Sequence, residues 1–108
     1  MKEEVILFQS ISALDSVLKD RKIIQISYNE QKYALTRFGT RIFVFEPKCP
    51  HFDYPLVEAS VNGACRVVCP WHGYQFDLST GQELIDRCRP LSVQEATWNA
   101  DGQLVTQL

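Results

Sequence analysis

The sequence predicts an all-β protein, an antiparallel sandwich or barrel with one short helix near its N-terminus. Two observations carry this prediction. From Arg21 onward, apolar and β-branched residues fall into short runs divided by turn residues, the rhythm of strands joined in sequence. Only one stretch, residues 11–20, repeats its apolar residues at helical spacing.

In that stretch Leu14, Val17 and Leu18 share one face behind Ser12, which reads as the N-cap with Asp15 three residues on. Three consecutive strands are expected over 22–28, 31–38 and 41–46, turning near Asn29 and Glu30 and at Gly39 and Thr40. Further strands are expected over 64–68, 74–78, 91–98 and 103–108, the last two joined by a turn over 99–102. The segment 76–82, "FDLSTGQ", reads as a turn carrying Gly81, with no catalytic content.

With 108 residues and no repeat, linker or low-complexity tract, the chain is expected to form one domain over 1–108. A hydrophobic fraction of 45% and a charged fraction of 22% are ordinary for a globular protein. The net charge of −2 gives no reason to expect nucleic acid or an acidic membrane as partner. No apolar run approaches the roughly 18 residues of a membrane span. The apolar run Val5 to Phe8 follows two glutamates and is too short for a secretory leader, so the expected location is cytoplasmic. Four cysteines fall below the roughly 8–10% of a small disulfide scaffold; metal ligands or core residues are the better expectation.

The chemistry concentrates in residues 48–73, "KCPHFDYPLVEASVNGACRVVCPWHG", which hold both histidines and three of the four cysteines. Cys49 and His51 form C-x-H; after seventeen intervening residues Cys69 and His72 form C-x-x-H. Thiolate and neutral imidazole are both good transition-metal ligands, and a donor pair this close can leave one tight loop and reach one site. Two such loops supply four donors. Zinc fingers usually group Cys with Cys and His with His, whereas each loop here contributes one of each. Mixed loops suit a two-iron cluster in which one iron takes both thiolates and the other both imidazoles. Zinc stays open as the alternative on spacing alone.

The "CPH" and "CPWHG" phrases at this separation resemble the two cluster loops of Rieske [2Fe–2S] proteins. The resemblance continues through "YQFDLSTGQ" and "RPLSVQE", and covers the chain strongly from about Phe43 to the end. It implies a Rieske-like antiparallel sandwich with a small cluster-binding part over about 46–78. It also implies that Cys49 and Cys69 ligate the inner iron of a Rieske-type [2Fe–2S] cluster, and His51 and His72 the outer one.

Two departures from the respiratory members of the family bear on the potential. Those proteins carry a further cysteine in each loop, forming a disulfide clamp; Tyr54 and Trp71 stand in those places here. They also place a Ser and a Tyr hydroxyl near the cluster sulfurs, where this chain has Tyr74 and Phe76. Hydrogen bonds to sulfur stabilise the reduced cluster, so their loss points to the low end of the Rieske range, about −150 mV. Pro50 and Pro70 narrow the loops and leave neighbouring amides to face sulfur, and Gly73 permits a backbone closed to other residues. Cys65 is expected to be a buried hydrophobe within a strand, and Cys88 an exposed thiol without a partner.

The resemblance implies a one-electron carrier with no catalytic residues of its own, a ferredoxin. Its expected partners are a flavin-containing reductase as donor and an oxygenase, such as an aromatic ring-hydroxylating dioxygenase, as acceptor. Phe52, Tyr54, Pro55 and Trp71 are expected to form a small, mostly uncharged contact surface. With both histidines committed to the loops, the chain lacks the donors for the separate mononuclear iron of the oxygenases. Two other readings stand beside this one: a non-catalytic Rieske-like small subunit, as in nitrite reductases, and a zinc-stabilised interaction domain.

Overall fold

The computed structural model describes residues 3–108. Its framework is a six-stranded antiparallel sheet ordered β1-β9-β8-β4-β3-β2, with a three-stranded sheet ordered β5-β6-β7 inserted between β4 and β8. The strands are β1 (Glu4–Phe8), β2 (Ile23–Tyr28), β3 (Gln31–Phe38), β4 (Arg41–Phe45), β5 (Ser60–Val61), β6 (Arg66–Val68), β7 (Gln75–Asp77), β8 (Val93–Trp98) and β9 (Leu104–Gln107). One helix, α1 (Ile11–Val17), and a 3₁₀ turn at Leu56–Glu58 complete the fold.

The expected strands over 22–46 appear as β2, β3 and β4, joined by turns at Asn29-Glu30 and Gly39-Thr40. β4 is buried on both faces, which explains why its residues 42–45 read as a continuous apolar run rather than an alternation. Phe43 and Phe45 face the inserted sheet, packing with Leu56, Val67, Phe76, Leu78 and Leu91. Ile42 and Val44 face the other way, packing with Leu14, Leu18, Leu35, Ala96 and Leu104. The helix thus closes one core and the inserted sheet closes the other.

Three expectations need correction. The helix begins two residues earlier than expected: Ser10, in extended backbone, is the N-cap, and its hydroxyl accepts the Ala13 N–H at 3.1 Å. Asp15 takes no part in capping and instead pairs with Arg37 at 2.6 Å. Ala64 and Cys65 do not join β6. The Asn62 side chain accepts the N–H groups of Ala64 and Arg66, making a turn that leaves Cys65 half-buried with φ +61°. Finally, Val5–Phe8, weighed only as a leader, lies in the edge strand β1, paired to β9.

Where the chain enters and leaves the inserted part, Glu46 and Arg89 form a two-point ion pair at 2.7 and 2.9 Å. The Glu46 carboxylate also accepts the Ser92 N–H at 2.6 Å, and the Glu46 N–H donates to the Ser92 carbonyl. This clasp holds the two necks of the insertion against the large sheet.

Candidate metal centre

The two Cys-led phrases fold into matching loops at one end of the small sheet. In "CPHFDY" the Cys49 N–H donates to the Tyr54 carbonyl at 2.9 Å; in "CPWHGY" the Cys69 N–H donates to the Tyr74 carbonyl at 2.8 Å. Each loop turns through a left-handed residue at the same step, Asp53 (φ +53°) in the first and Gly73 (φ +70°) in the second. His72 is also left-handed, at φ +71°, a conformation a non-glycine residue holds only where its surroundings fix it. A Cβ on Gly73 would meet no atom within 4 Å, so glycine is favoured there by its backbone and not by crowding.

The loops sort their donors by depth. Cys49 and Cys69 are fully buried, while His51 is half-buried and His72 exposed. The two thiols lie side by side, and the Trp71 amide lies beside the Cys69 sulfur. Burial pushes the Cys69 thiol up to about 11, opposed by that amide and assisted by Cys49. The two imidazoles lie 5.4 Å apart between ring centroids. The Nδ1 of His51 is buried without a hydrogen-bond partner, an orphaned donor-acceptor site that metal coordination would satisfy.

Among the described residues, no three His, Cys, Asp or Glu side chains meet as a single-ion site. The donors instead divide into a thiol pair inside and an imidazole pair outside. Two thiols and two imidazoles so divided are chemically suited to a two-iron cluster.

A family model, the Rieske [2Fe-2S] domain, matches residues 9–95. The chain belongs to the Rieske [2Fe–2S] family. The cofactor of a Rieske domain is a [2Fe–2S] cluster, and the donor set here is chemically suited to it. Human apoptosis-inducing factor 3 is 33% identical over 64 residues, covering 59% of this chain; the match spans only a tenth of that protein's length. The methanesulfonate monooxygenase ferredoxin subunit of Methylosulfonomonas methylovora is 26% identical over 80 residues, covering 74% of this chain and 64% of the relative.

Two solved structures share the Rieske fold. A chain from the complex of reduced oxygenase and oxidised ferredoxin in carbazole 1,9a-dioxygenase has a TM-score of 0.73 and 24% identity, covering 96% of this chain and all of that one. A nitrite reductase small subunit from Mycobacterium tuberculosis has a TM-score of 0.78 and 15% identity, covering 100% and 96%. At these identities the likeness is one of fold.

Aromatic side chains layer over the loops. Trp71 stacks on Phe52 (centroids 5.9 Å) and on Tyr54 (6.3 Å), leaving Phe52 63% and Trp71 43% exposed. Phe76 is a wholly buried core residue, as expected of a ring with no hydroxyl to donate. Tyr74 stacks on His51 with centroids 3.9 Å apart and planes 15° from parallel. Cys88 is half-buried against the core beneath the loops and Cys65 lies in the turn before β6; both are free thiols raised by burial.

The sequence reading overlooked Glu83. This carboxylate is 1% exposed and accepts from the Arg87 guanidinium and the N–H groups of Ile85, Arg87 and, more distantly, Gln75. Arg87 first, with those amides, holds it down to about 2 against the cost of burial. Because the folded-state pKa lies below the unfolded one, its stabilisation is complete above about pH 4.5 and is lost as pH falls through about 2. Urea unfolding should therefore show Glu83→Gln less stable than the parent at pH 7. The gap should narrow by about 3 kcal/mol between pH 6 and 2. A gap that stays constant over this window would refute the ionised, amide-bound Glu83.

A cleft of about 300 Å³, lined in part by Lys32, Tyr33, Glu46 and Gln94, contains none of the four donors and lies outside the metal centre. Among the described residues, no helix is long and apolar enough to cross a membrane.

Proposed function

We propose that this Rieske protein is a ferredoxin-type one-electron carrier whose cluster is held by Cys49, Cys69, His51 and His72. The observation that carries the reading is the sorting of donors: both thiols are buried and both imidazoles lie toward the surface. When bound, the cluster accepts and releases single electrons, and the imidazole edges offer the short path to a partner. The chain's residues provide the rest: a dry sulfur side under Leu56 and Phe76 and an aromatic rim at the exit.

The proposed donor is a flavin-containing reductase and the proposed acceptor an oxygenase. The likeness to the methanesulfonate monooxygenase ferredoxin subunit supports the acceptor, as does the shared fold with the chain from the oxygenase–ferredoxin complex. The nitrite reductase small subunit shares the fold equally well, but the four retained donors favour a redox-active role over a purely structural one.

Reductive titration tests the carrier role: one electron per chain should be taken up, at a potential near −150 mV, the low end of the Rieske range. Uptake of no electron would refute it. The contact surface is proposed at Phe52, Tyr54, Pro55 and Trp71, where two large rings lie open. Phe52→Ala should slow electron transfer to an oxygenase about tenfold while leaving the potential unchanged. Unchanged transfer kinetics would place docking elsewhere.

A further inference from the structure

Beyond the four proposed donors, one chain of contacts leads from the His51 ring through Tyr74 to Arg87 and Glu83. Tyr74 lies parallel to His51 at 3.9 Å, and the Arg87 guanidinium carbon lies 3.9 Å from the centroid of the Tyr74 ring. A guanidinium that close to an aromatic face is within cation–π range. Arg87 does not reach that place by chance of rotamer. Its Nη2 and Nε bond the two oxygens of Glu83 at 2.6 and 2.9 Å, fixing the plane of the fork.

Glu83 in turn is held by its neighbours. It is almost wholly buried, an isolated bridge pairs its backbone with Phe76 of β7, and the Leu84 N–H donates to the Gln75 carbonyl at 2.8 Å. The segment after Glu83 is thereby pinned beside the loop that carries His72. A buried carboxylate, a half-open guanidinium, a phenol ring and an imidazole form one stack.

We infer that Glu83 and Arg87, acting through Tyr74, are positioning residues for His51 that fix its ring plane and tune the cluster's reduction potential. The inference rests on the proposed role of His51 as a ligand. Reduction adds one negative charge to the cluster, so a cation held against the stack favours the reduced state, and the carboxylate behind it partly offsets that effect. Opposite substitutions should therefore move the potential in opposite directions. A merely structural ion pair predicts something else: both variants lose stability and neither shifts the potential.

The test is redox titration and EPR of the cluster-loaded protein, with urea unfolding alongside. Arg87→Gln should disfavour reduction by about three- to tenfold, a fall of about 30–59 mV for one electron. Glu83→Gln should raise the potential, and Arg87→Lys, which keeps the charge, should recover most of the loss. Tyr74→Leu should alter the EPR line positions, whereas Tyr74→Phe, which keeps the ring, should not. Potentials of Arg87→Gln and Glu83→Gln that stay at the parent value, or move the same way, would overturn the tuning role while a normal Rieske spectrum leaves the ligand assignment standing. A parent protein whose EPR shows no nitrogen-ligated cluster would overturn the assignment and the tuning together.

Discussion

Cys69→Ser protein is expected to purify colourless, with iron and sulfide near zero per chain, where the parent is red-brown. Cys69 is fully buried, the Trp71 amide lies beside its sulfur, and its neighbour is the second thiol, Cys49. A serine oxygen there is a harder, more weakly acidic donor, poorly matched to an iron–sulfur core. Its buried hydroxyl would also cost about 1–3 kcal/mol wherever it found no partner. Cys49→Ser should behave alike. Cys65→Ser and Cys88→Ser serve as controls, since neither thiol belongs to the paired loops; both should retain full iron and sulfide. Far-ultraviolet circular dichroism separates loss of cluster from loss of fold. A Cys69→Ser protein with a full cluster, or a Cys65→Ser protein with none, would contradict the ligand assignment.

The largest stability effect is expected at Gly81, in the turn after β7. Its φ is +83°, and a Cβ there would stand 2.1 Å from the Leu91 carbonyl oxygen and 3.2 Å from its carbon. The obstacle is backbone and is tied in place: the Leu91 N–H donates to the Gly81 carbonyl at 2.7 Å, and the Gly81 N–H to Asp77 at 2.6 Å. Gly81→Ala combines left-handed strain of about 1–2 kcal/mol with an overlap that only backbone movement relieves. A loss of about 3 kcal/mol or more is expected in urea unfolding. Gly39→Ala is the comparison: its φ is +63° but nothing lies within 4 Å of the added carbon, so a loss of about 1 kcal/mol is expected. Equal losses at the two positions would show that the contact with Leu91 carries no weight. Because Leu91 sits just before β8, the Gly81 contact also seats the inserted three-stranded sheet on the large sheet.

Much of this architecture is legible in the residues, where the determining contacts are local. The turns at Asn29-Glu30 and Gly39-Thr40 separate β2, β3 and β4 in the sequence as they do in space. The two loops that carry the four proposed donors are legible for the same reason, since C-x-H and C-x-x-H are one loop each. Their sorting into inner thiols and outer imidazoles agrees with the mixed spacing, but it depends on how the small sheet brings the loops together. Strand β1 escaped because its partner β9 lies at the other end of the chain and no turn announces the pairing. Ala64 and Cys65 read as strand from composition, yet one Asn62 side chain captures two amides and makes a turn. The Glu83–Arg87–Tyr74 stack left no pattern at all. Glu83 and Arg87 are four apart without a helix, and Tyr74 meets them only because β7 is bridged to Glu83.

The most direct test of the centre is nitrogen hyperfine spectroscopy on the anaerobically reduced protein. Two histidine nitrogens coupled to one iron of a two-iron, two-sulfide cluster are predicted, with the coupling reduced to one nitrogen in His72→Cys or the cluster lost. A reduced cluster without nitrogen coupling, or a colourless protein binding one zinc per chain, would contradict it.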